Sequence, residues 1–197
     1  MGTTPNHVQL EGILRDSIAY LKENPKSKGA SYLDTVEEAY TGFLESRAFT
    51  DRAYLDWRNL FNDALIAHKR VREAYDHARR QCQEWGVDGF PDRYVAYTEE
   101  EPTQEAAVDM AAFLKKLDLD AAWVGKAIER LDSSVAAARA ALKSQEVALA
   151  AYRKKIKARS TGYELAYRTA REFFQVVSSE LEYGSEQYYR LTTIPFE

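Results

Sequence analysis

The sequence predicts an all-α fold: an elongated antiparallel helical bundle, a coiled-coil-like hairpin of three long helices with one or two short N-terminal helices. Three observations carry this. Apolar residues recur at steps of three and four over most of the chain. Only 9 glycines and 5 prolines interrupt 197 residues, so turns are few and elements long. No segment shows the regular two-residue alternation and dense turn signals of an all-β chain. The whole chain, 1–197, is read as a single helical domain.

The first element spans residues 6–23, starting at Asn6 or His7. Leu10, Ile13, Leu14, Ser17, Ile18 and Leu21 form its stripe. Asn24-Pro25 ends it, because proline disfavours helical geometry in the residue before it. After a short polar linker, Ser31 is placed as the cap of a helical arm over 30–85. Its early stripe is Leu33, Val36, Tyr40, Phe43 and Leu44. The stripe weakens at Ala48 and Phe49, and Thr50 reads as a fresh N-cap.

The clearest periodicity follows. Tyr54, Trp57, Phe61, Ala64, His68, Val71, Tyr75, Ala78, Cys82 and Trp85 form a heptad seam. Gly86 stops it. Residues 86–102 form an acidic loop with two glycines and two prolines, within which Tyr94 to Tyr97 suggests a short extended piece.

A second helical arm is read over 103–158. Val108, Met110, Ala111, Phe113, Leu114 and Leu117 open its stripe, and Asp118 or Asp120 marks a kink or a new start. From Val124 the seam is regular: Ile128, Leu131, Val135, Ala138, Leu142, Gln145, Leu149, Tyr152 and Ile156. Eleven alanines from Ala121 to Ala151 favour helix and close approach of a neighbour. At Arg159-Ser160-Thr161-Gly162 two signals compete. The composition and the need for compactness favour a turn, while the unbroken phase into Tyr163, Ala166, Ala170, Phe173 and Val177 favours one continuous helix. The domain reading takes the turn, leaving a C-terminal helix over 163–191 and a tail from Thr192. The two arms would then pair across the 86–102 loop, with the C-terminal helix as a third member.

Chemistry-bearing residues are sparse. There is no paired Glu-x-x-His set as in di-iron bundles, and Glu73 with His77 reads as a surface pair. His68 falls in the seam, where it reads as a core histidine with one hydrogen-bond partner or, as the sharper alternative, a pH switch. Cys82 reads as a small packed hydrophobe. No nucleophile–base signature, Walker motif or dinucleotide fingerprint appears, so no enzyme, cofactor, metal or small-molecule substrate is expected.

Charge is more informative. Lys143, Arg153, Lys154, Lys155, Lys157 and Arg159 stand against Glu146 alone, whereas residues 88–101 carry five acids and Arg93. In the predicted hairpin these become opposite poles, read as solvated helix faces, as a basic tip that meets an anionic partner, or as head-to-tail association in which the basic end of one copy meets the acidic end of another. Tyr163, Tyr167, Tyr183, Tyr188 and Tyr189 crowd the C-terminal third with Arg168, Arg171 and Arg190; they read either as an interface, where these residue types are favoured, or as core edges with their hydroxyls in water.

The leading expectation is a non-enzymatic protein-interaction or structural module, binding a protein partner or further copies of itself. The alternatives are a peripheral binder of anionic membrane through the 153–159 segment, and a small-ligand sensor with Trp57, Trp85, His68 and Cys82 lining a pocket. A net charge of −4 argues against a nucleic-acid partner. The polar N-terminus lacks a signal-peptide pattern and the chain has no long apolar run, so a cytoplasmic location is expected.

Overall fold

A computed structural model of the chain describes residues 5–93, 100–119 and 121–192. The predicted all-α hairpin is the architecture found, and its elements are helices α1 (His7–Glu23), α2 (Leu33–Glu84), α3 (Glu100–Lys116), α4 (Ala122–Val177) and α5 (Glu186–Thr192). Single 3-10 turns, Ala30–Tyr32 and Ser178–Glu180, precede α2 and follow α4. No strand occurs among the described residues. The chain divides into two compact units, residues 1–54 with 151–197, and residues 55–150. The long helices α2 and α4 run through both and pack closely on each other.

In the first unit α1 begins with a capping box. The Asn6 side chain accepts from the backbone N–H groups of Val8 and Gln9, and the Gln9 side chain returns a bond to the Asn6 N–H. Leu10, Ile13, Leu14, Ser17 and Leu21 face inward, as their spacing requires. They meet Val36 and Phe43 of α2, Ala166, Ala170, Phe173 and Val177 of α4, and Leu191 of α5. The linker before α2 is held by close approach: a Cβ on Gly29 would stand 2.5 Å from Val177 Cγ1. Ser31 lies inside the 3-10 turn Ala30–Tyr32, ahead of the first residue of α2.

Thr50 is not a helix start. It sits within unbroken α2, buried, with its hydroxyl directed at the carbonyls of Ser46 (2.7 Å) and of Lys155 on α4 (3.1 Å). A polar residue facing an opposite helix mimics an N-cap in sequence, but here its hydroxyl is satisfied by a back-bond and a cross-helix bond.

The turn taken at residues 159–162 is likewise absent: α4 is continuous through Arg159–Gly162. Gly162 serves close packing rather than termination, since a Cβ there would meet Ser46 Oγ at 2.9 Å. The C-terminal helix over 163–191 is therefore the end of α4, followed by a turn at Gly184 (φ 89°) and the short α5.

In the second unit three helices share a core. Val71, Ala74, Tyr75, Ala78 and Cys82 of α2 pack with Ala106, Ala107, Met110, Ala111 and Leu114 of α3, and with Val124, Ala127, Leu131, Val135 and Ala138 of α4. The arm expected over 103–158 is thus two helices, the first ending at Lys116 and the second starting at Ala122. Glu100 and Glu101 belong to the first turn of α3 rather than to a loop, with Lys115 and Lys116 in its last turn, both matching the helix dipole. Val108 faces solvent instead of joining the stripe. The suggested extended piece at Tyr94 to Tyr97 lies outside the described residues.

The two heptad seams do lie against one another. Tyr54 and Tyr152 rings are 5.6 Å apart in the first unit, and Trp85 and Trp123 rings 6.3 Å apart in the second. Both seams are incompletely covered: on α2 Phe61 and Tyr54 are each 39% exposed and Trp85 is 56% exposed, and on α4 Ile156 is 45% exposed.

Candidate interaction surface

The continuity of α4 decides where the basic residues stand. Arg153, Lys154, Lys155, Lys157 and Arg159 lie inside a 56-residue helix, so they form no tip. On a helix they separate by angle. Lys155 and Arg159 lean toward α2. The Lys155 ammonium sits 4.9 Å from the centre of the Phe49 ring, and Arg159 is 3.9 Å from the Asp51 carboxylate. Arg153, Lys154 and Lys157 are exposed, and none has an ion pair among the described residues. Lys143 is an exposed cation in the other unit.

The tyrosine–arginine group does not form one surface. Tyr163 and Tyr167 stack at 6.3 Å on the edge of the α1–α2–α4 core. The Tyr163 hydroxyl donates to the Pro5 carbonyl, and burial pushes that phenol above its ordinary pKa. Arg168 faces Glu172 at 4.0 Å, and Arg171 is half-buried. Tyr188 packs edge-on against Phe174 at 5.9 Å, Tyr189 is 61% exposed, and Arg190 pairs with Glu186 on the same short helix. Most of these aromatics are core edges, because α1 and α5 cover a stripe that the sequence left open.

His7 joins this region. Its ring stacks on Phe43 at 5.6 Å and meets Tyr163 at 5.0 Å. Its Nδ1 has no hydrogen-bond partner among the described residues. Burial, with the charges of Arg159 and then Arg47, lowers its pKa. Pro5, His7, Tyr152, Ile156, Arg159 and Tyr163 line a shallow open groove there.

His68 is buried in the second unit, but both ring nitrogens lack a hydrogen-bond partner among the described residues, contrary to the single partner expected. Cys82 is fully buried and burial raises its thiol pKa, which suits a packed hydrophobe. Trp57, His68, Cys82 and Trp85 do not make one pocket. Trp57 and Trp85 are separated by roughly 40 Å of a single helix. No group of three or more metal-ligating side chains is found among the described residues.

A comparison with protein-family models, curated proteins and solved structures finds no match to this chain.

Sequence reading also passed over an acidic face. Asp34, Glu37, Glu38 and Glu45 stand on α2 with no basic residue between 34 and 45. The signal was present as a run of charge. It becomes a stripe only because α2 is helical from Leu33 onward.

Proposed function

We propose that this protein is a non-enzymatic helical interaction module that docks an acidic protein surface on the solvent face of α4. The observation that carries the reading is the exposure of Arg153, Lys154 and Lys157 without an ion pair among the described residues. Three cations within about two helical turns repel one another, and an acidic partner relieves that repulsion. The absence of a nucleophile–base signature in the sequence supports a binding role, and the single buried thiol suits the reducing cytoplasm.

A protein surface is favoured over lipid for a specific reason. Beside these cations the exposed side of α4 carries Thr161 and Glu164 among Ile156 (45% exposed) and Leu165 (47% exposed), an apolar row that polar residues interrupt. A helix that lies in a bilayer surface places large apolar side chains beside its basic residues. Among the described residues, no helix is long and apolar enough to cross a membrane.

The test is fluorescence anisotropy with a labelled poly-glutamate peptide. Binding should weaken as salt rises and should vanish in the variant carrying Arg153→Glu, Lys154→Glu and Lys157→Glu. The variant carrying Lys126→Glu and Arg139→Glu, also exposed cations of α4, should bind as the unaltered protein does. Equal loss in both variants would contradict a specific face. Salt-sensitive binding to phosphatidylserine vesicles, without binding to the peptide, would point to lipid instead.

A further inference from the structure

Charge on the opposite long helix of the same unit suggests which acidic surface is docked. Asp34, Glu38 and Glu45 of α2 are exposed and have no ion pair among the described residues, whereas Glu37 is held by Lys22 at 2.8 Å. They border a shallow groove floored by Thr41 and Gly42, and a Cβ built on Gly42 would meet nothing within 4 Å. That face therefore has room for an incoming side chain.

Within one chain the acidic and basic stripes do not meet. The sides of α2 and α4 that touch in this unit are those of Ser46 and Gly162, and of Thr50 and the Lys155 carbonyl. Asp34, Glu38 and Glu45 on one helix, and Arg153, Lys154 and Lys157 on the other, stand on the exposed sides. We propose that the occupant of the basic α4 face is the acidic α2 face of a second copy of this chain. The proposal rests on the reading of α4 as a docking face and names its partner.

Register supports the pairing. Asp34 and Glu38 are one helical turn apart, as are Arg153 and Lys157, each pair advancing about 6 Å along its axis. Two crossing helices can then bring two opposite-charge pairs together. Glu45 and Lys154 flank them and reach through long side chains. Each copy carries both stripes, so the contact is heterologous, joining unlike surfaces, and it extends into a chain or closes into a ring. Contacts made by exposed charges are weak and screened by salt, so association is expected at high protein concentration and low ionic strength.

Sedimentation velocity on the full chain tests this, with circular dichroism to verify that each variant remains helical. The unaltered protein should sediment faster as its concentration rises at low salt, and as a monomer at high salt. Reversal of α4 (Arg153→Glu, Lys154→Glu, Lys157→Glu) and reversal of α2 (Asp34→Lys, Glu38→Lys, Glu45→Lys) should each give a monomer. An equimolar mixture of the two reversed proteins should associate again, because each restores the charge its partner lacks. A monomeric unaltered protein at low salt, or an α2 reversal without effect, overturns the second copy as occupant. If poly-glutamate still binds α4 in that case, the docking face itself stands. Loss of both behaviours would remove the docking reading as well.

Discussion

Gly162 of α4 lies so close to Ser46 of α2 that a Cβ built on the glycine would stand 2.9 Å from the serine Oγ. That Oγ donates to the Phe43 carbonyl at 2.8 Å, so it does not move away without losing a bond. Two effects of similar size oppose each other on Gly162→Ala. Alanine gains about 1 kcal/mol over glycine in a helix interior, and displacing the serine hydroxyl costs about 1 kcal/mol. The variant should be nearly neutral in urea denaturation. Gly162→Val should lose about 2 kcal/mol through overpacking. Adding Ser46→Ala to Gly162→Ala removes the obstructing oxygen and leaves only the residue-46 Cβ at 3.3 Å, so the double variant should be more stable than Gly162→Ala alone.

His68 should be a liability for stability. Its two nitrogens are buried without hydrogen bonds among the described residues. Burying such groups costs on the order of 1–3 kcal/mol. His68→Leu, of similar volume, should therefore raise the denaturation midpoint. A lower midpoint would mean that the imidazole makes a bond worth more than its desolvation.

His7 should make stability pH-dependent. Burial, then Arg159 and Arg47, hold its folded pKa below the ordinary value of 6.5. The unfolded chain thus binds the proton more readily, and folding stability falls as pH drops below about 6.5 until the folded form also protonates. Above that value the effect is absent. His7→Phe keeps a ring against Phe43 and Tyr163 but does not titrate. The stability of the unaltered protein relative to His7→Phe, measured in urea from pH 8 down to pH 5, should fall on the acid side. A constant difference would contradict the assignment.

Cys82 should be inert in the folded protein. It is fully buried and its thiol pKa is raised by desolvation. A thiol reagent should modify it slowly in buffer and quickly once denaturant unfolds the second unit. Fast labelling without denaturant would show that the α2–α3–α4 core opens readily.

Much of the fold was legible because it depends on local spacing. Leu10 to Leu21 declares α1, and the seam from Tyr54 to Trp85 declares the body of α2. What escaped depends on distant contacts. Thr50 and Gly162 carry the composition of a cap and a turn, and only the opposing helix shows that each serves close packing. The break between Lys116 and Ala122 was visible at Asp118 or Asp120 as either a kink or a new start, and the end of α3 realises the second of these. The basic run was readable as charge. Its place within α4 was not, since it follows from continuity through Gly162. Tyr163 and Tyr167 read equally as interface or core edge, and the choice fell to the core through their cover, α1, which lies far away in sequence.

The most direct test of that continuity is a distance along α4 within the first unit. Spin labels at Arg153→Cys and Arg168→Cys, in a Cys82→Ala background, report it by pulsed electron resonance. An unbroken helix places the two Cα atoms about 22 Å apart. A turn at residues 159–162 would fold the second stretch back on the first and bring the labelled backbones to roughly 10 Å, the spacing of adjacent helices. The longer distance would support a continuous helix with its basic face turned to solvent. The shorter one would contradict it.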